Sequence, residues 1–209
     1  MTKAETQQFS LGHWVDISQI NKLPKYIIEY ELTIEEIAEC RQHGRDRGIA
    51  RALQYNTSEE KATLDATNGN FGELGFWNIC KLNGEEYSRP ILKLGLEYQK
   101  HGPDVGPYQC KTLGYLDSVI YEGPNSKRPD SLFKIKDITQ LNPLHLIEVI
   151  DNGNNVITRL LTNWGGVPAK EVKRLLMLPR SVPKNEQRKA EGKRALYLSS
   201  IPKEYLVDI

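Results

Sequence analysis

The stretch Gly102-Pro103-Asp104-Val105-Gly106-Pro107-Tyr108-Gln109-Cys110-Lys111-Thr112 brings three reactive groups close together in the chain. The Asp104 carboxylate and the Gln109 amide oxygen are hard donors that can ligate a hard cation. The Lys111 ammonium is a compact positive charge. A strand sends alternate side chains to opposite faces. If Tyr108 to Leu113 is extended, Gln109, Lys111 and Leu113 therefore share one face, and Tyr108, Cys110 and Thr112 share the other. Strict alternation would leave Asp104 opposite Gln109, so the Gly106-Pro107 step must turn the chain for the three groups to meet. Each residue also has an ordinary reading, Asp104 as a turn residue after proline and Lys111 as a solvent-facing strand residue.

A second carboxylate lies upstream in Asn70-Phe71-Gly72-Glu73. Asn70 is a good N-cap and Glu73 occupies the capping-box position, so Glu73 can be explained by helix initiation alone. The helix would continue through Leu74, Phe76, Trp77, Ile79 and Cys80, apolar nearly all round and hence buried. Gly72 and Gly75 would allow that helix to lie close to a sheet, at some cost in propensity.

Pro103-Asp104 followed by Gln109-Cys110-Lys111 resembles the signature of the PD-(D/E)XK nuclease superfamily, in the Gln-X-Lys variant of its Mrr-like restriction endonucleases. The run Gly69 to Phe76 resembles the helix that supplies an additional Glu in many members. The resemblance covers Gly69 to about Val172, roughly half the chain. It implies an α/β (α+β) fold with a mixed central sheet flanked by helices, a restriction-endonuclease-like core. It also implies Mg²⁺-dependent hydrolysis of DNA phosphodiester bonds, with Mn²⁺ as a substitute. Asp104 would be the first metal ligand, Gln109 a second and uncharged one, and Glu73 would restore the missing negative charge. Lys111 would align the attacking water or stabilise the pentacovalent phosphate. The implied partners are DNA and, as an option, a second copy of the chain. The rival readings are a catalytically inactive module of the same fold that binds DNA or protein, and a structural protein of a mobile element in which the motif is coincidental.

The elements around these residues can be read from pattern. Thr33-Ile34-Glu35-Glu36 is a capping box that opens a helix running to about Gln54, weakened in the middle by Gly44 and Gly48. Thr57-Ser58-Glu59-Glu60 opens a short helix that ends before Asn68-Gly69. Leu92, Leu94, Leu96 and Tyr98 alternate as a strand. Further strands are expected at Ser118–Glu122, Leu132–Ile138 and His145–Ile150. Asp151-Asn152-Gly153-Asn154 turns the last of these into a hairpin with Val156–Leu161. Pro168 starts a helix with Val172, Leu175 and Leu176 inside. Ala195–Ile201 reads as a final strand, followed by a tail that docks on the body. Residues 1–68 are expected to form an N-terminal helical arm, and 69–209 the nuclease-like core.

With 28 Lys and Arg against 27 Asp and Glu, the chain has no overall basic excess, so a DNA surface must come from local clusters. Arg41, Arg45, Arg47 and Arg51 form one such row; Arg41, Arg45 and Arg51 are the candidate phosphate contacts, although nearby Glu35, Glu36, Glu39 and Asp46 make a solvated helix face equally natural. The stretch from Arg180 to Arg194 is the other, with Lys184 and Arg188 as candidates, either as a DNA-contacting loop or as a plain linker. Three widely spaced cysteines without a C-x-x-C pair suggest neither disulfides nor zinc and fit the reducing cytoplasm. The polar N-terminus does not read as a signal peptide, and no apolar run reaches membrane-spanning length.

Overall fold

Thr33 begins the first long helix as its sequence predicts. Its hydroxyl accepts from the Glu36 amide at 3.2 Å, and the Glu36 carboxylate accepts from the Thr33 amide at 2.9 Å. The two orphan donors are thus satisfied reciprocally. The computed structural model describes residues 6–8, 14–16, 26–55, 57–92, 103–113, 118–121 and 142–207. In chain order the elements are β1 (Thr6–Gln8), β2 (Trp14–Asp16), β3 (Glu29–Glu31), α1 (Ile34–Tyr55), α2 (Glu59–Leu82), β4 (Gln109–Thr112), β5 (Ser118–Tyr121), β6 (Leu144–Asp151), β7 (Val156–Leu160), α3 (Ala169–Met177), α4 (Glu186–Ala190) and β8 (Arg194–Tyr197). Beyond Leu92, the strand expected through Tyr98 lies outside the described residues, as does the one expected over Leu132–Ile138.

Helix α1 does not break at its glycines. A Cβ on Gly44 would collide with Thr67, and one on Gly48 with Thr63. Both glycines therefore let α1 lie against α2 at backbone distance, which offsets their poor helix propensity. Helix α2 is likewise continuous, from a Ser58 cap to Asn83. Asn70 does not start a helix but sits fully buried in the middle of this one. Its amide donates to the Cys40 carbonyl at 3.1 Å and accepts from Arg47 Nη1 at 2.8 Å. Those tertiary bonds remove the reason for Asn70 to cap. The expected boundary after residue 68 falls inside α2, and β3 joins the central sheet.

That sheet is mixed, in the order β3-β7-β6-β4. Strand β6 forms the expected hairpin with β7, while β4 runs parallel to β6 in the register Gln109–Leu144, Cys110–His145, Lys111–Leu146, Thr112–Ile147. The α2 face carries Cys110, His145, Ile147 and Leu160, packed on Phe76 and Ile79. Gly72 lies against Thr112 of β4 and Gly75 against Thr158 of β7, so α2 makes the close approach its glycines predict. On the other face Leu144 and Leu146 pack with Val172, Leu175 and Leu176 of α3 and with Val119, Tyr121 and Leu196 of the β5–β8 pair. The tail docks through Asn163, whose amide donates to the Tyr205 carbonyl at 2.8 Å. Strand β8 stops at Tyr197, short of the expected Ile201, and gives way to a 3-10 turn. Among the described residues, no helix is long and apolar enough to cross a membrane.

Candidate functional site

Strand β4 is the edge of the central sheet among the described strands, and its backbone explains where Asp104 goes. Gln109 and Leu113 donate their amides to Pro143 and Ile147 on the β6 side. Backbone direction alternates along a strand, so the Cys110 amide points to the free edge, where it would need a partner. Asp104 supplies it, with Oδ2 accepting from Cys110 N at 2.8 Å. The intervening turn makes this reach feasible. Gly106 has φ +52°, a conformation that glycine adopts without penalty, and Val105 and Tyr108 bridge across it. The Gly106-Pro107 step thus breaks the alternation that would have carried Asp104 away.

The same Asp104 oxygen accepts a short hydrogen bond from the Gln109 side-chain amide and lies 3.5 Å from Lys111 Nζ. Gln109 and Lys111 come from the face opposite α2, as their pairing with Leu144 and Leu146 requires. Asp104 and Lys111 retain 19% and 21% of their side-chain exposure, enough for a substrate group to reach them. The field of Asp104 also reaches Tyr121 of β5, whose hydroxyl is pushed up mainly by burial and further by this carboxylate.

Glu73 enters from the other direction. It lies in the middle of α2, not in a first turn, so neither capping nor the helix dipole accounts for it. Thr112 donates to the Asn68 carbonyl at 3.2 Å, which, with the Gly72 contact, presses this part of α2 against the end of β4. Burial pushes the Glu73 carboxyl up to about 7, the Asp104 charge adds to the rise, and Lys111, Arg47 and Arg51 oppose it. Asp104, Gln109 and Lys111 therefore meet at the free edge of β4, and Glu73 on α2 lies within electrostatic reach of Asp104 and Lys111.

Of the candidate phosphate contacts, Arg41 has an intramolecular role. It bonds Asp151 at 3.0 Å and the Gly153 carbonyl at 2.6 Å, tying α1 to the β6–β7 turn. Arg45 is exposed and donates to Gln42 at 3.2 Å. Arg51 acts on Glu73, as does Arg47, a member of the row that its sequence pattern does not single out. The signal was available, since Gly44, Arg47, Gly48 and Arg51 fall on one helical stripe, and the glycines mark it as the contact face. The basic stretch near the C-terminus is neither a loose loop nor a linker. Arg180 donates to the Ser200 carbonyl at 3.1 Å, the Lys184 ammonium sits 5.6 Å from the Tyr197 ring centre, and Arg188 lies in α4 behind an Asn185 cap. All three cysteines are free and buried.

The donor set can be tested against a divalent cation. Among the described residues no three His, Cys, Asp or Glu side chains form a metal-ligand group. Two carboxylates remain, with an amide oxygen as a neutral third donor. That suits Mg²⁺, which keeps several waters and binds through one or two carboxylates together with substrate phosphates. The Glu73 carboxyl, raised by burial and by Asp104, is a group whose ionised form a cation would favour. The chain matches no family model, no curated protein and no solved structure.

Proposed function

We propose that this chain is a metal-dependent deoxyribonuclease with a restriction-endonuclease-like core, hydrolysing phosphodiester bonds at the free edge of β4. The observation that carries the reading is the convergence of Asp104, Gln109 and Lys111 on one carboxylate oxygen, with the half-buried Glu73 within electrostatic reach. Asp104, Glu73 and the Gln109 amide oxygen would hold Mg²⁺ or Mn²⁺. When bound, the ion would supply Lewis-acid charge at the phosphate and lower the pKa of water. The other tasks fall to the protein. Lys111 offers a fixed ammonium at the half-buried edge, where charge that develops on the phosphate is stabilised more strongly than in bulk water. Asp104 holds Lys111 and Gln109 in position through Oδ2. Hydrolysis places the water oxygen on phosphorus, expels one ester oxygen and leaves a phosphate monoester.

The test is nicking of supercoiled plasmid DNA with Mg²⁺ or Mn²⁺ and with a chelator. Metal-dependent nicking is expected, and none at any metal or pH would sink the reading. One observation favours a second reading, a fold of this kind that binds DNA or protein without cutting. The Gln109 amide nitrogen faces Asp104, so the carboxylate already has neutral and cationic donors. In that case neither Mg²⁺ nor Mn²⁺ would raise the melting temperature.

A further inference from the structure

The arginine row of α1 is divided by its packing. Arg41 is committed to Asp151 and Gly153, and Arg45 points to solvent beside Gln42. Arg47 and Arg51 are half-buried on the stripe that Gly44 and Gly48 press onto Thr67 and Thr63 of α2. The Arg47 guanidinium is fixed by Asn70 Oδ1 at 2.8 Å. The orientation of the Asn70 amide is unambiguous, because its nitrogen is bound to the Cys40 carbonyl. Asn70 precedes Glu73 by about one helical turn on α2, and Arg51 follows Arg47 by one turn on α1, so neighbouring side chains lie about 5–6 Å apart. Arg47 is thereby anchored one turn of α2 from Glu73, with Arg51 one turn further along the same stripe of α1.

We propose that Arg47 and Arg51 form a phosphate subsite on α1 that holds the DNA backbone next to the scissile phosphate, so that the bound strand runs from Lys111 at the β4 edge across α2 to α1. This rests on the deoxyribonuclease reading. The chemistry recognised is a row of phosphodiester oxygens. Planar guanidinium forks bind such oxygens bidentately, and a fork anchored by Asn70 loses less freedom on binding than a free side chain. Two carboxylates alone would repel a polyanion, and the flanking cations offset that repulsion while leaving the centre to a metal.

The test measures binding of a labelled double-stranded DNA fragment of mixed sequence, in Ca²⁺ to block turnover, over a range of salt concentrations. Plasmid nicking is followed in parallel in Mg²⁺. Glutamine replaces the arginines because Arg47→Gln keeps an amide donor for the buried Asn70, and thermal melting confirms folding of each variant. In the double variant Arg47→Gln/Arg51→Gln, the slope of log affinity against log salt should become shallower by about 0.9 for each phosphate no longer neutralised, or roughly 1.8 in all. KM should rise more than kcat falls. Arg45→Gln should keep the parental slope, and Arg47→Lys should recover part of the slope that Arg47→Gln removes. If the parental protein nicks DNA but the folded double variant keeps the parental slope and KM, the arginines only balance Glu73 and the subsite is wrong. If the parental protein neither binds nor nicks DNA, the nuclease reading fails first and the subsite with it.

Discussion

Burial shifts both Glu73 and His145, and their surroundings treat them in opposite ways. His145 stands at the centre of the sheet in β6. Its Nδ1 pairs with the Thr162 hydroxyl at 2.7 Å, and the Phe76 and Tyr108 rings lie with their centres 4.6 Å away. Burial among these neutral groups pushes it down to about 3, so it stays uncharged throughout the ordinary pH range. Glu73, beside the free edge of β4, is surrounded by charge from Asp104, Lys111, Arg47 and Arg51 and is pushed up to about 7. The difference teaches that burial alone does not mark a site. A buried titratable group paired with a hydroxyl and aromatic rings is part of the core. One held among charges of both signs, next to half-exposed groups, is a candidate for exchanging them for a ligand.

The sharpest way to break this comparison is to remove one residue from each region. Lys111→Ala should lower the nicking rate by roughly a hundred to a thousandfold, about 3–4 kcal/mol of transition-state stabilisation, because its ammonium acts where charge develops. Affinity for DNA in Ca²⁺ and the melting temperature should change little, and Lys111→Arg should not fully restore the rate. His145→Ala should do the reverse. Loss of a fully buried ring should cost about 3 kcal/mol of stability by chemical denaturation, while the folded fraction cuts at the parental rate. Parental cutting by Lys111→Ala would show that the β4 edge is not the reaction centre.

A next effect separates the two groups by pH, in metal-free buffer. Glu73 has a raised folded pKa, so between about 4.5 and about 7 the folded state holds a proton that the unfolded chain has lost. Stability therefore falls as pH rises through that window and then levels off. His145 has a lowered folded pKa, so its contribution is lost as pH falls from about 6.5 towards about 3. Denaturation measured across roughly pH 4–9 should show the Glu73 fall disappearing in Glu73→Gln while the acid-side loss remains. An unchanged fall between about 4.5 and about 7 in Glu73→Gln would mean that Glu73 is not a carboxyl raised by burial.

Much of this arrangement was legible in the chain, and the exceptions share one cause. The Thr33 box, the β6–β7 hairpin, the inner face of α3 and the close approach of Gly72 and Gly75 depend on local pattern, which a sequence displays directly. The turn that brings Asp104 to the Gln109–Lys111 strand was also foreseeable from Gly106-Pro107. Asn70 misled because its local preference, to cap, is overridden by partners far away in sequence, Cys40 and Arg47, and the weakness expected at Gly44 is offset by its contact with Thr67. Long-range contacts likewise commit Arg41 to Asp151 and Arg47 to Asn70. Gly75→Ala tests that override in the scaffold beneath the site. The new methyl would gain about 1 kcal/mol in helix propensity but collide with Thr158, and overpacking costs about 1–3 kcal/mol. A net loss of about 1 kcal/mol is expected by denaturation, and a more stable variant would mean that α2 can move off β7 freely.

The smallest effect examines Gln109, the residue on which the two functional readings differ. Its amide donates to Asp104, so in the metal-free protein it stabilises that carboxylate without adding charge. Gln109→Glu replaces the donor with a second negative group beside Asp104. Without metal the substitution should therefore be destabilising by about 1 kcal/mol, the net worth of one hydrogen bond, and more at high pH where both carboxylates ionise. With Mg²⁺ or Mn²⁺ the sign of the change should reverse, because a third carboxylate strengthens the attraction for the cation. The metal-induced rise in melting temperature should be larger in Gln109→Glu than in the parental protein, and calorimetric titration should give equal or tighter binding. Lys111 provides the internal control, since Lys111→Ala should tighten metal binding by removing a nearby positive charge even as it slows cutting. Weaker binding in Gln109→Glu would mean that the Gln109 oxygen does not ligate the ion and that this side chain serves only to hold Asp104. Absence of any metal-induced shift in the parental protein and in both variants would leave the β4 edge as a rigid charged surface and favour the non-cutting module.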